Sequence, residues 1–380
     1  MSNNNNGLDR HAKVTSCVFA GICVVLGILL LVLPKSDWSE NENRRLASFP
    51  EFSAEALAEG EYLSGVQTYL TDHFPMRDVF VSVNTKFNTL LGRRELNDVF
   101  ICGDGFLIDK YKTPTRTEAI IEAFNRLPAA VGERKVTMLI APTAASVYSD
   151  RLPIFAQQAD QLETMKRLME GFTGSSVDVT ATLMEHREEH QLYYRTDHHW
   201  TTYGAYYAYV ELCAELGLTP RDMGEYTVEC VSEDFCGTTY SKVNDFSVPG
   251  EEMHRFLLPE QKLTVVYGSD GKEVSDSLYN AEYLEQKDKY SYFLNNIHDL
   301  IAIENPDART ERGLVIIKDS YANCFVPFLA EHFSKIYVVD PRYYRDSVIG
   351  LINSDEAVTD VLILYNLGTM DTDTGVTVIY

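Results

Sequence analysis

The chain has 380 residues, with 56 acidic against 33 basic side chains and a formal net charge of −23, a surface that repels phosphate backbones and argues against nucleic-acid binding. Hydrophobic residues make up 45% and charged residues 23%, enough apolar material for a sizeable core, so bulk disorder is excluded. The length suits one large α/β domain with attachments, or two modest domains. The 23 tyrosines and 18 phenylalanines suit a plain core and equally suit contacts with sugar rings.

Residues 1–13 form a short polar tail whose SNNNNG stretch reads as disordered. From Val14 to Leu33 no charge occurs over about 20 residues, the length of a bilayer-spanning helix. Leu31, Val32 and Leu33 lead straight into Pro34 and Lys35, without the small-x-small exit of a cleaved signal, so residues 14–34 read as an uncleaved membrane anchor. Arg10 and Lys13 precede the span while Lys35, Arg44 and Arg45 follow it, and the basic-residue rule does not decide its orientation.

Residues 35–97 read as a helical stalk, charged at first, then helical from Ala54 to Leu91 with a break near His73-Phe74-Pro75. The cluster DHFPMRD (Asp72 to Asp78) reads as a capped helix junction.

The remainder, residues 98–380, carries short, β-branched, wholly apolar runs at Lys135–Ile140, Leu314–Ile317, Ile336–Val339 and Val361–Leu364. Such runs mark strands covered on both faces. Helices are expected over Thr202–Leu216, closed by Gly217, and over Tyr321–Phe333. The alternation predicts an α/β domain with a parallel sheet flanked by helices. Residues 223–305, with weaker periodicity and many turn residues, read as an inserted β/loop region.

Of seven cysteines, Cys17 and Cys23 lie in the span, leaving Cys102, Cys213, Cys230, Cys236 and Cys324. An odd number without paired spacing gives neither a disulfide framework nor a zinc site. Cys230 and Cys236 are close enough in sequence to bridge in an oxidising compartment, and the others read as isolated thiols.

Two constellations carry chemistry. Asp197-His198-His199-Trp200 precedes the helix Thr202–Leu216, for which Thr201 or Thr202 is a natural N-cap. A rigid helix entry can hold an imidazole beside a carboxylate, leaving its second nitrogen to act as a base. Adjacent Asp and His residues at a helix start also serve simply as capping, solvated groups. In the second, the strand Leu314–Ile317 runs through Lys318-Asp319 into Ser320. Sites in open parallel sheets form beyond the carboxyl ends of strands, and free N–H groups at a following helix can stabilise an oxyanion. The plainer reading makes Asp319 or Ser320 a helix cap; Asp319 is assigned to holding the turn.

Taken together, Tyr193 to Tyr206 (YYRTDHHWTTYGAY) and Lys318 to Tyr344 (KDSYANCFVPFLAEHFSKIYVVDPRYY) resemble the DHHW proteins of Gram-positive bacteria, as do SENENRRL (Ser39 to Leu46) and DHFPMRD. More distantly they are similar to alginate O-acetyltransferases of the AlgX/AlgJ kind. The resemblance implies an SGNH-hydrolase-like catalytic domain with a triad of Asp197, His199 and Ser320, in the order Asp, His, Ser. It implies a tyrosine and a tryptophan at the substrate (Tyr321, Trp200) and an asparagine as oxyanion donor, for which Asn323 and Asn366 are the candidates. Lys318 departs from the glycine usual at that place. The implied activity is extracytoplasmic transfer of acetyl groups onto a polysaccharide, with an acyl-serine intermediate and no cofactor, beside a membrane-bound O-acyltransferase partner. Hydrolysis of the same ester, as a carbohydrate esterase, is the alternative.

Two other readings compete. His186-Arg187-Glu188-Glu189-His190 matches the H-x-x-E-H pattern of one group of zinc peptidases, although MEHREEH is also an ordinary charged helix face. The other is a non-catalytic polysaccharide-binding protein, against which the complete Asp–His–Ser set argues.

Overall fold

The computed structural model describes residues 3–379 with the exception of 40, 43, 246, 259 and 260. Two compact units are present, residues 1–91 and 92–380.

The first unit opens with a helix, Asn3–Val32, of which His11–Val32 is long and apolar enough to cross a membrane. The polar tail expected to be disordered is therefore helical from Asn3. Extending a helix that the apolar stretch already nucleates costs far less than starting one. Three helices follow, Ala54–Glu59, Glu61–Asp72 and Arg77–Leu90. The break falls at Pro75, with Met76 in the left-handed region at φ 58°.

The cluster at this break does more than cap. Met76, at the N-cap, makes no side-chain capping bond. Instead Asp72 takes a bidentate pair from Arg44, at 2.6 and 3.0 Å, and the Ala47 N–H at 2.9 Å. Arg77 donates to Glu42 at 2.6 Å, and Asn41 to Asp78 at 2.6 Å. SENENRRL and DHFPMRD thus fold onto one another, while Glu40 and Asn43 of the first motif lie outside the described residues. The hydrogen-bonded Arg44 guanidinium holds the Asp72 carboxyl down to about 2.

The second unit is built on an eight-stranded sheet. Its strands are β1 (Lys135–Ala141), β2 (Ser175–Val177), β3 (Thr264–Tyr267), β4 (Glu273–Ser275), β5 (Leu300–Glu304), β6 (Thr310–Lys318), β7 (Phe333–Val339) and β8 (Val358–Asn366), in the order β4-β3-β5-β7-β6-β8-β1-β2. The five strands from β7 to β2 are parallel, and β5, β3 and β4 extend the sheet antiparallel. Part of the segment read as an insertion is therefore an edge of the main sheet.

Alternation along the central strands explains their continuous apolar runs. Leu314, Ile316, Leu362 and Leu364 join the core on one face, and Val315, Ile317, Val361 and Ile363 the core on the other. The first face is covered by the helix Thr202–Leu216, whose ends are those expected: Thr201 caps it by accepting from the Gly204 N–H, and Gly217 closes it at φ 66°. It is buried nearly all round, since the antiparallel pair Thr227–Phe235 and Glu251–Leu257 brings Phe256 against Tyr206. The helix expected over Tyr321–Phe333 is absent. A 3-10 turn, Ser320–Ala322, and one helical turn, Val326–Leu329, occupy its place, and Phe333 already begins β7. Pro327 fits only a first helical turn, and the flanking aromatic residues are poor helix formers.

Candidate active site

Register aligns the carboxyl ends of the central strands: Lys318 of β6 lies beside Leu364 of β8, and Asn366 beside Ala141 of β1. Ser320 sits just past the end of β6, where the following turn is tight. Asp319 fixes that turn, its carboxylate accepting from the Tyr321 N–H at 2.9 Å, the Asn366 N–H at 2.8 Å and the Thr369 hydroxyl. Among the described residues nothing accepts from the Ser320 N–H.

The loop before the helix Thr202–Leu216 brings its carboxylate and imidazole to this serine. Asp197 Oδ2 lies 2.5 Å from His199 Nδ1, and His199 Nε2 lies 2.7 Å from Ser320 Oγ. Asp197 and His199 are buried, and Ser320 is half-buried. The other oxygen of Asp197 accepts from the Thr238 N–H and hydroxyl, both at 2.7 Å. A Cβ at Gly237 would stand 2.3 Å from Asp197 Cβ, so only glycine permits this approach of backbone to carboxylate.

Burial works to raise the Asp197 carboxyl, but the two neighbouring imidazoles overcome it and hold the group well below the usual carboxylate range. Burial, helped by His198, lowers His199 and outweighs Asp197, so His199 is neutral at neutral pH, as a base must be. His198 has Nδ1 at 2.5 Å from the Thr238 hydroxyl and 3.3 Å from Asp197 Oδ1. Burial lowers it too, but Asp197 reverses the balance and raises it.

Several partners carry no mark in the sequence. Tyr290 stacks on His199 at 3.8 Å between ring centroids, and its hydroxyl donates to the Ser320 carbonyl at 3.2 Å. Glu251, 3% exposed, accepts from the Arg195 and Thr196 N–H groups at 2.9 and 2.8 Å and from the Thr196 hydroxyl at 2.6 Å, clamping the loop that carries Asp197. Tyr290 and Glu251 both lie between residues 223 and 305, where no periodicity distinguishes them.

Of the other expected site residues, Tyr321 and Asn366 border the cleft described below, and Trp200 and Asn323 do not. Trp200, expected at the substrate, is fully buried; its indole N–H donates to the Tyr321 carbonyl at 2.9 Å, tying the histidine loop to the serine turn. Tyr321 is also buried, with its hydroxyl on the His198 carbonyl, though it borders the cleft described below. Asn323 Oδ1 accepts from Lys318 Nζ at 2.9 Å, and Asn366 Oδ1 from the Gly368 N–H at 2.7 Å. Neither side chain bonds Ser320 Oγ. Lys318, in the place of the usual glycine, is fully buried, 3.6 Å from Asp340, and burial pushes its ammonium down.

A cleft of about 670 Å³ opens beyond the ends of β1 and β8, bordered by Asp197, His198, Thr238, Tyr321 and Asn366. The zinc arrangement is not formed: the helix Thr180–His186 ends before Glu189, while His186 stacks on Tyr207 and His190 on Tyr203. Asp197, His198 and His199 lie within mutual reach of one ion, yet both nitrogens of His199 are engaged by Asp197 and Ser320. Cys230 and Cys236 are free thiols.

A search of curated proteins finds no match. Among solved structures, a DHHW family protein from Eubacterium siraeum DSM 15702 is similar at 25% identity and a TM-score of 0.65, over 75% of this chain and 96% of that one. PatB1 of Bacillus cereus, solved with a sulfonyl adduct, is similar in fold at 21% identity and a TM-score of 0.60, over 72% and 95%. The O-acetyltransferase domain of Pseudomonas putida AlgJ superposes at 14% identity and a TM-score of 0.43, over 72% and 92%. The family model described as DHHW protein matches residues 42–110 and 131–339, more than half of the chain and both constellations up to Val339, so the protein belongs to the DHHW family.

Proposed function

We propose that this protein is an SGNH-type serine O-acyltransferase that moves acetyl groups onto a polysaccharide outside the cytoplasm. The observation that carries the reading is the unbroken hydrogen-bonded line from Asp197 through His199 to Ser320 at the carboxyl end of a parallel sheet. Ser320 Oγ attacks the carbonyl carbon of an acetyl donor while its proton passes to His199 Nε2, and the donor alcohol leaves with that proton. Asp197 holds the imidazole in the required tautomer and stabilises its charged form. The negative oxygen that develops is met by the Ser320 N–H; of the two candidate amides Asn366 borders the cleft, and it would have to turn its N–H groups from the Ala141 and Pro142 carbonyls, 3.4 and 3.5 Å away, to assist. An acceptor hydroxyl, deprotonated by His199, then attacks the acetyl-serine, and Ser320 Oγ recovers its proton.

The apolar helix His11–Val32 anchors the chain, with residues 92–380 outside and a membrane-bound O-acyltransferase passing the acetyl group outward. The sulfonyl adduct of PatB1 suggests the test. A sulfonyl fluoride should label Ser320 of the full-length protein in detergent, and the label should be lost in His199→Ala. Fast deacetylation of an acetylated glycan, with no transfer at high acceptor concentration, would assign an esterase instead.

A further inference from the structure

The cleft beside the triad is lined by apolar side chains, by charged groups and by neutral hydrogen-bonding groups, the last including Thr113, Thr143, Thr238, Thr372, Asn97 and Asn366. Its lysines are already engaged, and His198 faces Asp197 at 3.3 Å. Lys112 Nζ lies 2.7 Å from Asp98, Lys242 Nζ 2.8 Å from both oxygens of Asp109, and Lys110 Nζ 2.8 Å from Glu95. Asp371 adds a further carboxylate, held by the Thr115 and Arg116 N–H groups at 2.8 and 2.7 Å. Asp197 brings one more to the same cleft, in a chain of net charge −23.

An acidic glycan that engaged one of these lysines would compete with the carboxylate already bound there and would meet the neighbouring acids of the cleft. An uncharged sugar needs only hydroxyl and amide partners, and a hydroxyl has one donor and two lone pairs, so a threonine such as Thr143, which already accepts from Gln161, can still bond a sugar hydroxyl. We infer that the acceptor is an uncharged glycan seated in this threonine- and asparagine-lined cleft, and that uronate- or phosphate-bearing glycans are disfavoured there. The inference rests on the acyl-serine reading. The transfer it describes forms one ester bond to a neutral sugar hydroxyl, breaks the ester at Ser320 Oγ, and returns the acceptor's proton to that oxygen by way of His199.

The test uses full-length protein in detergent, 4-nitrophenyl acetate as donor, and two acceptors with the same hydroxyls, a galacturonate tetramer and its uncharged carboxamide form. Acetylation of the carboxamide tetramer should be faster by about fivefold at low salt, and the gap should narrow as salt is added. Labelling of Ser320 by 4-carbamoyl- and 4-carboxybenzenesulfonyl fluoride should rank the same way and depends on neither sugar being accepted. Asp98→Asn with Asp109→Asn releases Lys112 and Lys242 and should raise labelling by the carboxylated probe relative to its neutral partner. Equal rates in the wild type, a preference for either anionic compound, or an unchanged ratio in the double variant would overturn the inference. No labelling of Ser320 by either probe would overturn the acyl-serine reading beneath it.

Discussion

Tyr290 lies flat against His199, the two ring planes within 13° of one another, while its hydroxyl reaches the Ser320 carbonyl at 3.2 Å and the Cys324 sulfur at 3.3 Å. One side chain thus touches the proposed base on its face and the proposed nucleophile on its backbone. Tyr290→Phe keeps the stacked ring and should slow turnover by only about fivefold, the worth of one hydrogen bond. Tyr290→Leu removes the ring, lets the imidazole swing, and should cost on the order of 10–100-fold. It also hydrates His199, so the acid limb of the pH–rate profile should move to higher pH. Equal losses in the two variants, with no movement of that limb, would reduce Tyr290 to packing.

The two adjacent histidines should behave differently. His199→Ala should lower turnover by about 10⁴-fold or more, as loss of a triad base does. His198→Gln should cost far less and show itself in pH dependence. His199 is held below the ordinary imidazole value of 6.5 by burial and then by His198. Activity needs neutral His199 and should fall only as pH drops through that lowered value. Removing His198 lifts part of the depression, so the acid limb should rise. The reverse ranking in activity would exchange their roles.

Much of this was legible in the sequence. The strands Leu314–Ile317 and Val361–Leu364 announced themselves because both of their faces are covered, and Thr201 with Gly217 marked both ends of one helix through cap chemistry that is local to the chain. The pairing of Asp197, His199 and Ser320 needed the family resemblance, since 121 residues separate the histidine from the serine. Glu251 and Tyr290 were not legible: each acts across dozens of residues from a segment whose irregular turns follow no period. The helix expected over Tyr321–Phe333 failed because apolar residues there pack on all sides, and a wholly buried segment has no amphipathic period to separate a turn from a helix.

Asp197→Asn should leave the fold intact and lower turnover by about 10⁴-fold, because the amide favours the wrong tautomer of His199. The melting temperature and the extent of Ser320 labelling, followed together, check this. Near-normal turnover would leave Asp197 as the partner of Thr238 alone.

Membrane topology has its own test. With the helix His11–Val32 as an anchor and the following residues outside, protease added to intact spheroplasts should digest residues 92–380. Protection until the membrane is permeabilised would contradict the proposed location.

The most direct measurement is the mass of the chain during turnover. Full-length protein mixed with 4-nitrophenyl acetate, quenched in acid and digested, should carry one acetyl group on the peptide containing Ser320. That species should disappear when a productive glycan acceptor is added, and should be absent from Ser320→Ala. An acetyl group found only on other side chains, or found equally in Ser320→Ala, would contradict an acyl-serine mechanism at this site.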